Sequence, residues 1–256
     1  VYKRQVMLLS EIETGFPIAV IDGTLCTQLR TAAVGCVAAK YLAPKKVETV
    51  GFIGAGEEAR MHFTLLKHLF PSIRTCKVAS RHSATEDRFI AEFDKIIPDV
   101  HFIACRGDNS QAVADTDIIV TAISGQAPVL KARDVRAGML YIHVGGWEDE
   151  YGVALKADKI VCDDWNASKH RTQTICRMYK EGLLKDKDIY ADLAEIIAGQ
   201  KKGRESDEEF IYFNSVGLSY IDLNFAHEIY REASLLGLGR DIVLAESDRV
   251  DYRCFI

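Results

Sequence analysis

Apolar runs of strand length alternate with amphipathic segments along most of the chain. The runs are rich in β-branched and aromatic residues, and they occupy 49–53, 75–80, 101–104, 117–123, 140–144, 159–163 and 210–213. Several are apolar at almost every position, which is typical of parallel strands that are buried on both faces. Strands that alternate with helices favour an α/β fold with a doubly wound parallel sheet.

Between these strands, apolar residues recur at helical spacing. The pattern predicts helices over 26–41, 61–69, 86–96, 111–114, 168–181, 187–198 and 222–236. The first helix is rich in small residues, so we expect it to pack closely against another element or a ligand, and we expect Arg30 to open it. An antiparallel hairpin of 6–9 with 18–22 is predicted ahead of it.

The strongest local motif is the glycine turn that follows the strand 49–53. The sequence there is Gly54-x-Gly56-x-x-Ala59, followed by a helix and by a second strand at 75–80. In such a motif Gly54 permits the tight turn, Gly56 lets the backbone approach a pyrophosphate, and Ala59 allows close helix–strand packing. The helix N-terminus then faces the anion. A glycine triplet alone is weak evidence, but with this context it predicts a dinucleotide site that includes Ala55 and Glu57.

Three further strands end in residues that belong at the same edge of the sheet. Ser124, Val144 and Ser215 each lie at or just beyond the end of an apolar run. Because ligands of doubly wound sheets bind at the carboxyl ends of parallel strands, we expect these residues to surround one cleft with Gly54 and Gly56.

The end of the second strand bears on which nicotinamide cofactor is bound. An NAD site usually has an acidic residue there, about 20 residues past the glycine turn, to accept hydrogen bonds from the ribose 2′-hydroxyl. Here the strand ends in Ser80-Arg81-His82-Ser83, and the nearest acid, Glu86, lies in the next helix. The sequence therefore predicts NADP(H) over NAD(H), with Arg81 as the main determinant. The alternative is an arginine that only faces solvent.

Composition narrows the class of partner. The 256 residues are 48% hydrophobic and carry a net charge of −5, which disfavours nucleic acid and anionic membrane surfaces as partners. The seven cysteines form no CxxC pair, and no His, Cys or carboxylate cluster has metal-ligand spacing. No apolar run reaches the roughly 18 residues of a membrane span. We expect a cytoplasmic protein that binds a small molecule and no metal.

Three motifs together resemble one enzyme family. Arg30-Thr31-Ala32-Ala33, Val144-Gly145-Gly146 and Phe213-Asn214-Ser215-Val216-Gly217 resemble motifs of the ornithine cyclodeaminase/μ-crystallin family, and the likeness extends from 18 to 236. Segments 163–165, 169–182 and 203–214 most resemble the siderophore-pathway N-(2-amino-2-carboxyethyl)-L-glutamate dehydrogenases and unassigned cyclodeaminase-like relatives.

The resemblance implies a division of the chain. Residues 1–29 would be the remnant of an N-terminal substrate and dimerisation domain, 30–213 a Rossmann domain, and 214–256 a helical return to the first domain. The start at Val1, without an initiator methionine, suggests an N-terminal truncation, and a homodimer is expected at full length.

The resemblance also assigns roles to individual residues. It implies that Arg30 binds the substrate carboxylate, a role that suits a guanidinium, and that Thr31 contacts the cofactor. The alternative for Arg30 is a surface ion pair with an acid. The family's cyclodeaminases carry an aspartate after the paired glycines, whereas this chain has Trp147, and indole is no general base. Glu148 is a candidate replacement by a one-residue shift, although an acidic run on a loop is more often solvated.

These residues leave three functions open. The leading hypothesis is an NAD(P)-dependent oxidoreductase acting on the C–N bond of a small amino or imino acid, of the amino-acid dehydrogenase or ketimine reductase type. The second is a cyclodeaminase-type lyase that converts ornithine to proline and ammonia with catalytic NAD. The third is a non-enzymatic, μ-crystallin-like NADPH-binding protein. His143 lies inside an apolar strand, so we expect it in the core.

Overall fold

The structure, a computed structural model, describes residues 5–243. It opens with an antiparallel hairpin of β1 (Val6–Ser10) and β2 (Pro17–Asp22), as predicted. Helix α1 (Gly23–Leu42) follows at once, because the Asp22 carboxylate caps it by accepting a hydrogen bond from the Thr24 amide at 2.8 Å. The predicted start at Cys26 is therefore wrong, and Arg30 lies two turns inside the helix. The predicted domain boundary between residues 29 and 30 falls within α1.

The predicted doubly wound sheet is confirmed as eight parallel strands in the order β5-β4-β3-β6-β7-β10-β8-β9. The strands are β3 (Thr49–Ile53), β4 (Thr75–Ala79), β5 (His101–Ala104), β6 (Ile118–Thr121), β7 (Leu140–His143), β8 (Lys159–Cys162), β9 (Ala191–Asp192) and β10 (Ile211–Asn214). The strand order reverses between β3 and β6. In doubly wound sheets, the crevice for a ligand opens at this position.

Helices cover both faces of the sheet. Beyond α1 they are α2 (Glu57–Leu69), α3 (Ser83–Phe93), α4 (Asn109–Val113), α5 (Tyr151–Leu155), α6 (Trp165–Ser168), α7 (Thr174–Lys180), α8 (Leu193–Ile197) and α9 (Ser219–Leu235). Helix α9 runs back to contact α1 and the hairpin. The C-terminal region predicted from 214 to 256 thus contains one described helix, and its part beyond 243 lies outside the described residues.

Two predicted helices are wrong in form. The segment 168–181 is divided between α6 and α7. The segment 187–198 holds the end of a 3-10 turn (Asp186–Asp188), strand β9 and then α8. In the second case the Tyr190 amide donates to the Ile160 carbonyl and extends the sheet, and Asp192 and Glu195 form a capping box that starts α8 afresh. Helical periodicity alone does not register such a capping signal.

The small residues of α1 serve close packing, as expected. A Cβ added at Gly35 would lie 2.8 Å from Nε2 of His62 on α2, so the two helices meet at van der Waals distance. His62 is fully buried, and burial lowers the pKa of its imidazole to about 4. The described cysteines are free and buried, while Cys254 lies outside the described residues. Within residues 5–243, no helix is long and apolar enough to cross a bilayer.

Candidate functional site

Five residues predicted to share a cleft lie at one edge of the sheet. Gly54 and Gly56 follow β3, Ser124 follows β6, Val144 follows β7 and Ser215 follows β10. All of these strands are parallel, so their carboxyl ends meet at this edge. A cleft of about 530 Å³ opens there, and Gly56 and Ser124 line it together with Glu57.

The glycine turn reaches this cleft at Gly56. Gly54 has φ +105° and its amide donates to the Ala79 carbonyl at 2.8 Å, while Ala55 is buried behind it. Gly56 is the N-cap of α2, and no side chain caps the helix. An uncapped helix N-terminus leaves backbone amides free for an anion. The turn therefore has the form that a pyrophosphate requires.

An arginine offsets the acidic side chain beside this turn. Arg60 lines the cleft, donates to the Ala55 carbonyl at 2.8 Å and lies 3.5 Å from the mostly exposed Glu57 carboxylate. A second arginine, Arg88 of α3, lines the cleft nearby. Arg60 is already paired, because its Nε also donates to Glu92 at 2.7 Å, so Arg88 is the less committed cation. The sequence analysis identified neither arginine.

Helix α1 contributes a polar face that the sequence analysis also missed. Thr24, Thr27 and Gln28 line the cleft. They share one helix face with Thr31, since positions i, i+3, i+4 and i+7 align, so helical spacing could have identified them. Thr31 itself is buried and its hydroxyl donates to the Thr27 carbonyl at 2.8 Å. The predicted cofactor contact of Thr31 remains a prediction.

The loop after β4 is organised around a buried acid. The Glu86 carboxylate accepts hydrogen bonds from the amides of Ser80 at 2.7 Å, Arg106 at 2.7 Å and Gly107 at 2.9 Å, and the side chain has no exposed surface. Both of its oxygens are therefore engaged by the backbone of the neighbouring loops. Arg81, His82 and Ser83 are exposed, and Arg81 pairs with no acid among residues 5–243.

Glu148 is buried, whereas we expected it to lie on a solvated loop. It is fully buried, and its carboxylate accepts hydrogen bonds from the Thr121 hydroxyl, the Ile123 amide and the Gly145 amide at 2.7 to 2.8 Å. The side chain thereby ties the loop after β6 to the loop after β7. These contacts correct the expectation of a solvated acid and support a structural role for Glu148 instead of the candidate general base.

Asp149 is the second acid of this run, and it is also buried. Its Oδ1 accepts hydrogen bonds from Thr174 at 2.6 Å and Tyr212 at 3.1 Å, and lies 3.5 Å from Nε2 of His143, which is in the core as expected. Burial raises the pKa of the Asp149 carboxyl from 3.8 to about 6, against the pull of His143 and the two hydroxyls. Ionising Asp149 therefore costs folding free energy, and the cost appears as pH rises through this interval.

Trp147 packs against α7. The Arg177 guanidinium lies 4.7 Å from the centre of its indole ring, within range of a cation–π interaction. An indole in that position supplies bulk and no proton acceptor.

Arg30 pairs with an acid, but not on an open surface. Its Nε donates to Oδ1 of Asp222 on α9 at 2.7 Å, and the Arg30 side chain is only 14% exposed. The loop after β10 lies on its other side, because a Cβ at Gly217 would be 2.5 Å from Nη1. Arg30 thus lies where α1, α9 and the carboxyl edge of the sheet meet.

The likeness to known proteins extends through this whole arrangement. Residues 2–235 match the sequence profile of the ornithine cyclodeaminase/mu-crystallin family. The chain belongs to this family. The resemblance read from Arg30-Thr31, Gly145-Gly146 and Asn214–Gly217 is thereby confirmed.

Several family members with assigned activities are similar to this chain. N-((2S)-2-amino-2-carboxyethyl)-L-glutamate dehydrogenase of Staphylococcus aureus is 29% identical over 93% of this chain and 71% of its own length. Alanine dehydrogenase of Archaeoglobus fulgidus is 34% identical over 92% of this chain and 72% of its own length. Thermococcus litoralis Δ1-pyrroline-2-carboxylate reductase, solved with NADH and L-proline, superposes with a TM-score of 0.84 at 32% identity and covers 92% of this chain and 73% of its own.

Proposed function

We propose that the protein is an NAD(P)-dependent oxidoreductase that acts on the C–N bond of a small amino or imino acid. The observation that carries the proposal is the glycine turn at Gly54, placed where the strand order reverses and on the same sheet edge as the loop beside Arg30. Family members similar to this chain include dehydrogenases and reductases of amino and imino acids.

The residues divide the work between two ends of the site. The amides of the first turn of α2, with Arg88, bind the diphosphate, and Ser124 lies further along the cleft. The guanidinium of Arg30 binds the substrate carboxylate and so aligns the reacting carbon. The nicotinamide group, when bound, gives or accepts the hydride.

A lyase is the weaker alternative because of Trp147. The family's cyclodeaminases carry an aspartate at this position, and the neighbouring Glu148 carboxylate is already engaged by three donors. Neither side chain offers the base that deamination requires.

The test is to measure NAD(P)H and ammonia together in the full-length enzyme. We expect net consumption of NAD(P)H with Δ1-pyrroline-2-carboxylate, or with pyruvate plus ammonium, and no release of ammonia from L-ornithine. Ammonia release without a net change in NAD(P)H identifies the lyase. Tight NADPH binding with no turnover of either substrate identifies the μ-crystallin-like binding protein.

We further propose that NADP(H) is preferred over NAD(H), although NAD(H) is the ligand in related structures. The proposal is supported by the exposed Arg81, which pairs with no acid in the described part of the chain, and by Glu86, whose carboxylate accepts from three backbone amides. Arg81 supplies a charge-assisted contact to the 2′-phosphate, and the hydroxyls of Ser80, in the same loop, and Ser83, at the start of α3, are close to it in sequence.

Replacing Arg81 by alanine is expected to weaken NADPH binding about 10- to 100-fold, the range for losing a hydrogen bond to a charged group, with NADH binding almost unchanged. Titrating both cofactors against the wild type and the variant measures the effect. Arg133→Ala, which removes another exposed arginine, is the matched control. Equal affinity of the wild type for both cofactors, or a variant that keeps its preference, contradicts the role of Arg81.

The proposal includes a homodimer of the full-length protein in the cytoplasm. The outer face of the hairpin carries exposed apolar side chains, with Val6, Leu8 and Val20 between 59% and 72% exposed. An apolar face of this kind is suited to burial against a second copy. A related archaeal alanine dehydrogenase is described as a dimer. The free, buried cysteines among residues 5–243 fit a reducing compartment.

A further inference from the structure

The guanidinium of Arg30 is held from one edge by an acid that lies far away in the sequence. Nε of Arg30 donates to Oδ1 of Asp222 at 2.7 Å, so α9 and α1 are joined at this point. Both side chains are largely shielded, with 14% and 29% of their surfaces exposed. This hydrogen bond uses Nε and leaves the terminal nitrogens Nη1 and Nη2 of the fork outside it.

The backbone at Gly217 lies beside the terminal nitrogens of the Arg30 guanidinium. Gly217 has φ +86°, and a Cβ there would lie 2.5 Å from Nη1 and 3.5 Å from Nη2 of Arg30. The Asp163 carboxylate at the end of β8 accepts hydrogen bonds from the amides of Val216 at 2.7 Å and Gly217 at 2.8 Å. This wall lies beside the end of the fork and is anchored to the sheet, and because Gly217 has no Cβ the space next to Nη1 and Nη2 stays open.

We propose that Asp222 is a positioning residue that presents Arg30 to the substrate carboxylate end-on, through Nη1 and Nη2. This inference rests on the proposed function of Arg30 as the carboxylate-binding residue. A guanidinium has five N–H donors and can bind a carboxylate along either of two edges. One edge includes Nε, and the other is formed by Nη1 and Nη2. Because Asp222 occupies Nε, the side edge is closed and the end of the fork remains.

Asp222 also reduces the cost of ordering Arg30. When an unrestrained arginine side chain binds a ligand, it loses rotamer entropy, and this loss is among the largest of any residue. The Asp222 contact and the Gly217 wall restrict the fork before the ligand arrives. The guanidinium is then already oriented when the carboxylate of a small amino or imino acid binds. This orientation favours binding of the acid over binding of its uncharged amide derivative.

The test compares Asp222→Asn with Asp222→Leu in the full-length enzyme. Asparagine keeps an oxygen that accepts from Nε, whereas leucine keeps the volume and removes the acceptor. Binding of L-proline, L-alanine and the uncharged L-prolinamide is measured by calorimetry with saturating NADH. We expect Asp222→Leu to weaken carboxylate binding about tenfold to thirtyfold, and Asp222→Asn to stay within about threefold of wild type. L-Prolinamide binding and the Kd for NADH should change little.

A cycle with Arg30→Leu separates positioning from general damage to α9. The loss caused by Asp222→Leu should vanish in the Arg30→Leu background, because no fork remains to be oriented. Glu228→Gln, which changes an exposed acid elsewhere on α9, is the control and should bind as wild type. In turnover, Asp222→Leu should raise KM more than it lowers kcat.

The outcomes distinguish this inference from the function on which it rests. If Arg30→Leu loses carboxylate binding and Asp222→Leu does not, the positioning role is wrong and the proposed role of Arg30 stands. Tighter carboxylate binding by Asp222→Leu also contradicts the inference, since it shows Asp222 acting as a competing anion. If the wild type binds neither L-proline nor L-alanine, or Arg30→Leu binds them as well as wild type, the proposed function of Arg30 fails.

Discussion

Replacing Arg30 by lysine should lower kcat/KM about 100-fold or more and leave the Kd for the nicotinamide cofactor nearly unchanged. Arginine offers a planar fork that makes two parallel, charge-assisted hydrogen bonds to a carboxylate, whereas lysine offers a single point charge. Lysine also loses the Nε that Asp222 holds, so its ammonium is free to move toward the Asp222 carboxylate. The substrate then meets a cation that is both misplaced and partly neutralised.

Steady-state kinetics and a separate cofactor titration measure the two effects. The matched control is Arg133→Lys, an exposed exchange away from the cleft, which should behave as wild type. The melting temperature is measured for each variant, because Arg30 joins α1 to α9. An equal loss of affinity for the nucleotide would mean that Arg30 serves the cofactor, and the assignment to the substrate carboxylate would be wrong.

Seven of the eight strands of the sheet were predictable because each is an apolar run long enough to cross a buried layer, whereas the two-residue strand β9 was not predicted. The run 49–53 matches β3 at both ends, and β5 matches its run 101–104. The errors fall where local hydrogen bonding overrides periodicity. Asp22 starts α1 before its apolar pattern begins, and the capping box of Asp192 with Glu195 restarts a helix inside a region that reads as one.

The site was predictable where a residue type is tied to a backbone requirement. Gly54 falls into this class, because few other residues adopt its φ of +105°. Glu148 does not, since a carboxylate on a loop is solvated or buried according to the donors that tertiary structure brings to it. Thr121 ends β6, Ile123 lies in the loop after it and Gly145 lies in the loop after β7, so no sequence spacing predicts that the three donors meet. The pairing of Arg30 with Asp222 spans 192 residues and was hidden for the same reason.

The second large effect is expected from Gly54→Ala, which should lower the free energy of unfolding by about 3–5 kcal/mol. Gly54 has φ +105°, which strains any L-residue with a side chain, and an added Cβ would overlap the Ala122 carbonyl oxygen and lie 3.0 Å from its carbon. That carbonyl has little freedom to retreat. The Gly54 amide donates to Ala79 at 2.8 Å and the Ala122 amide donates to Ile53 at 3.0 Å, so movement on either side breaks a sheet contact.

Two other glycines separate the causes of this effect in denaturant unfolding and cofactor titration. Gly199 has φ +72° with no atom within 4 Å of an added Cβ, so Gly199→Ala carries backbone strain alone and should cost only about 1–2 kcal/mol. Gly56 also has open space around it, and its φ of −83° suits alanine, so Gly56→Ala should cost no more than about 1 kcal/mol, the penalty for alanine at an N-cap. Its methyl group nevertheless stands where the pyrophosphate approaches the backbone, and the Kd for the cofactor should rise at least about tenfold. A Gly54→Ala variant as stable as Gly199→Ala would show that the Ala122 carbonyl yields, and a Gly56→Ala variant with wild-type cofactor affinity would show that the dinucleotide does not pass over this turn.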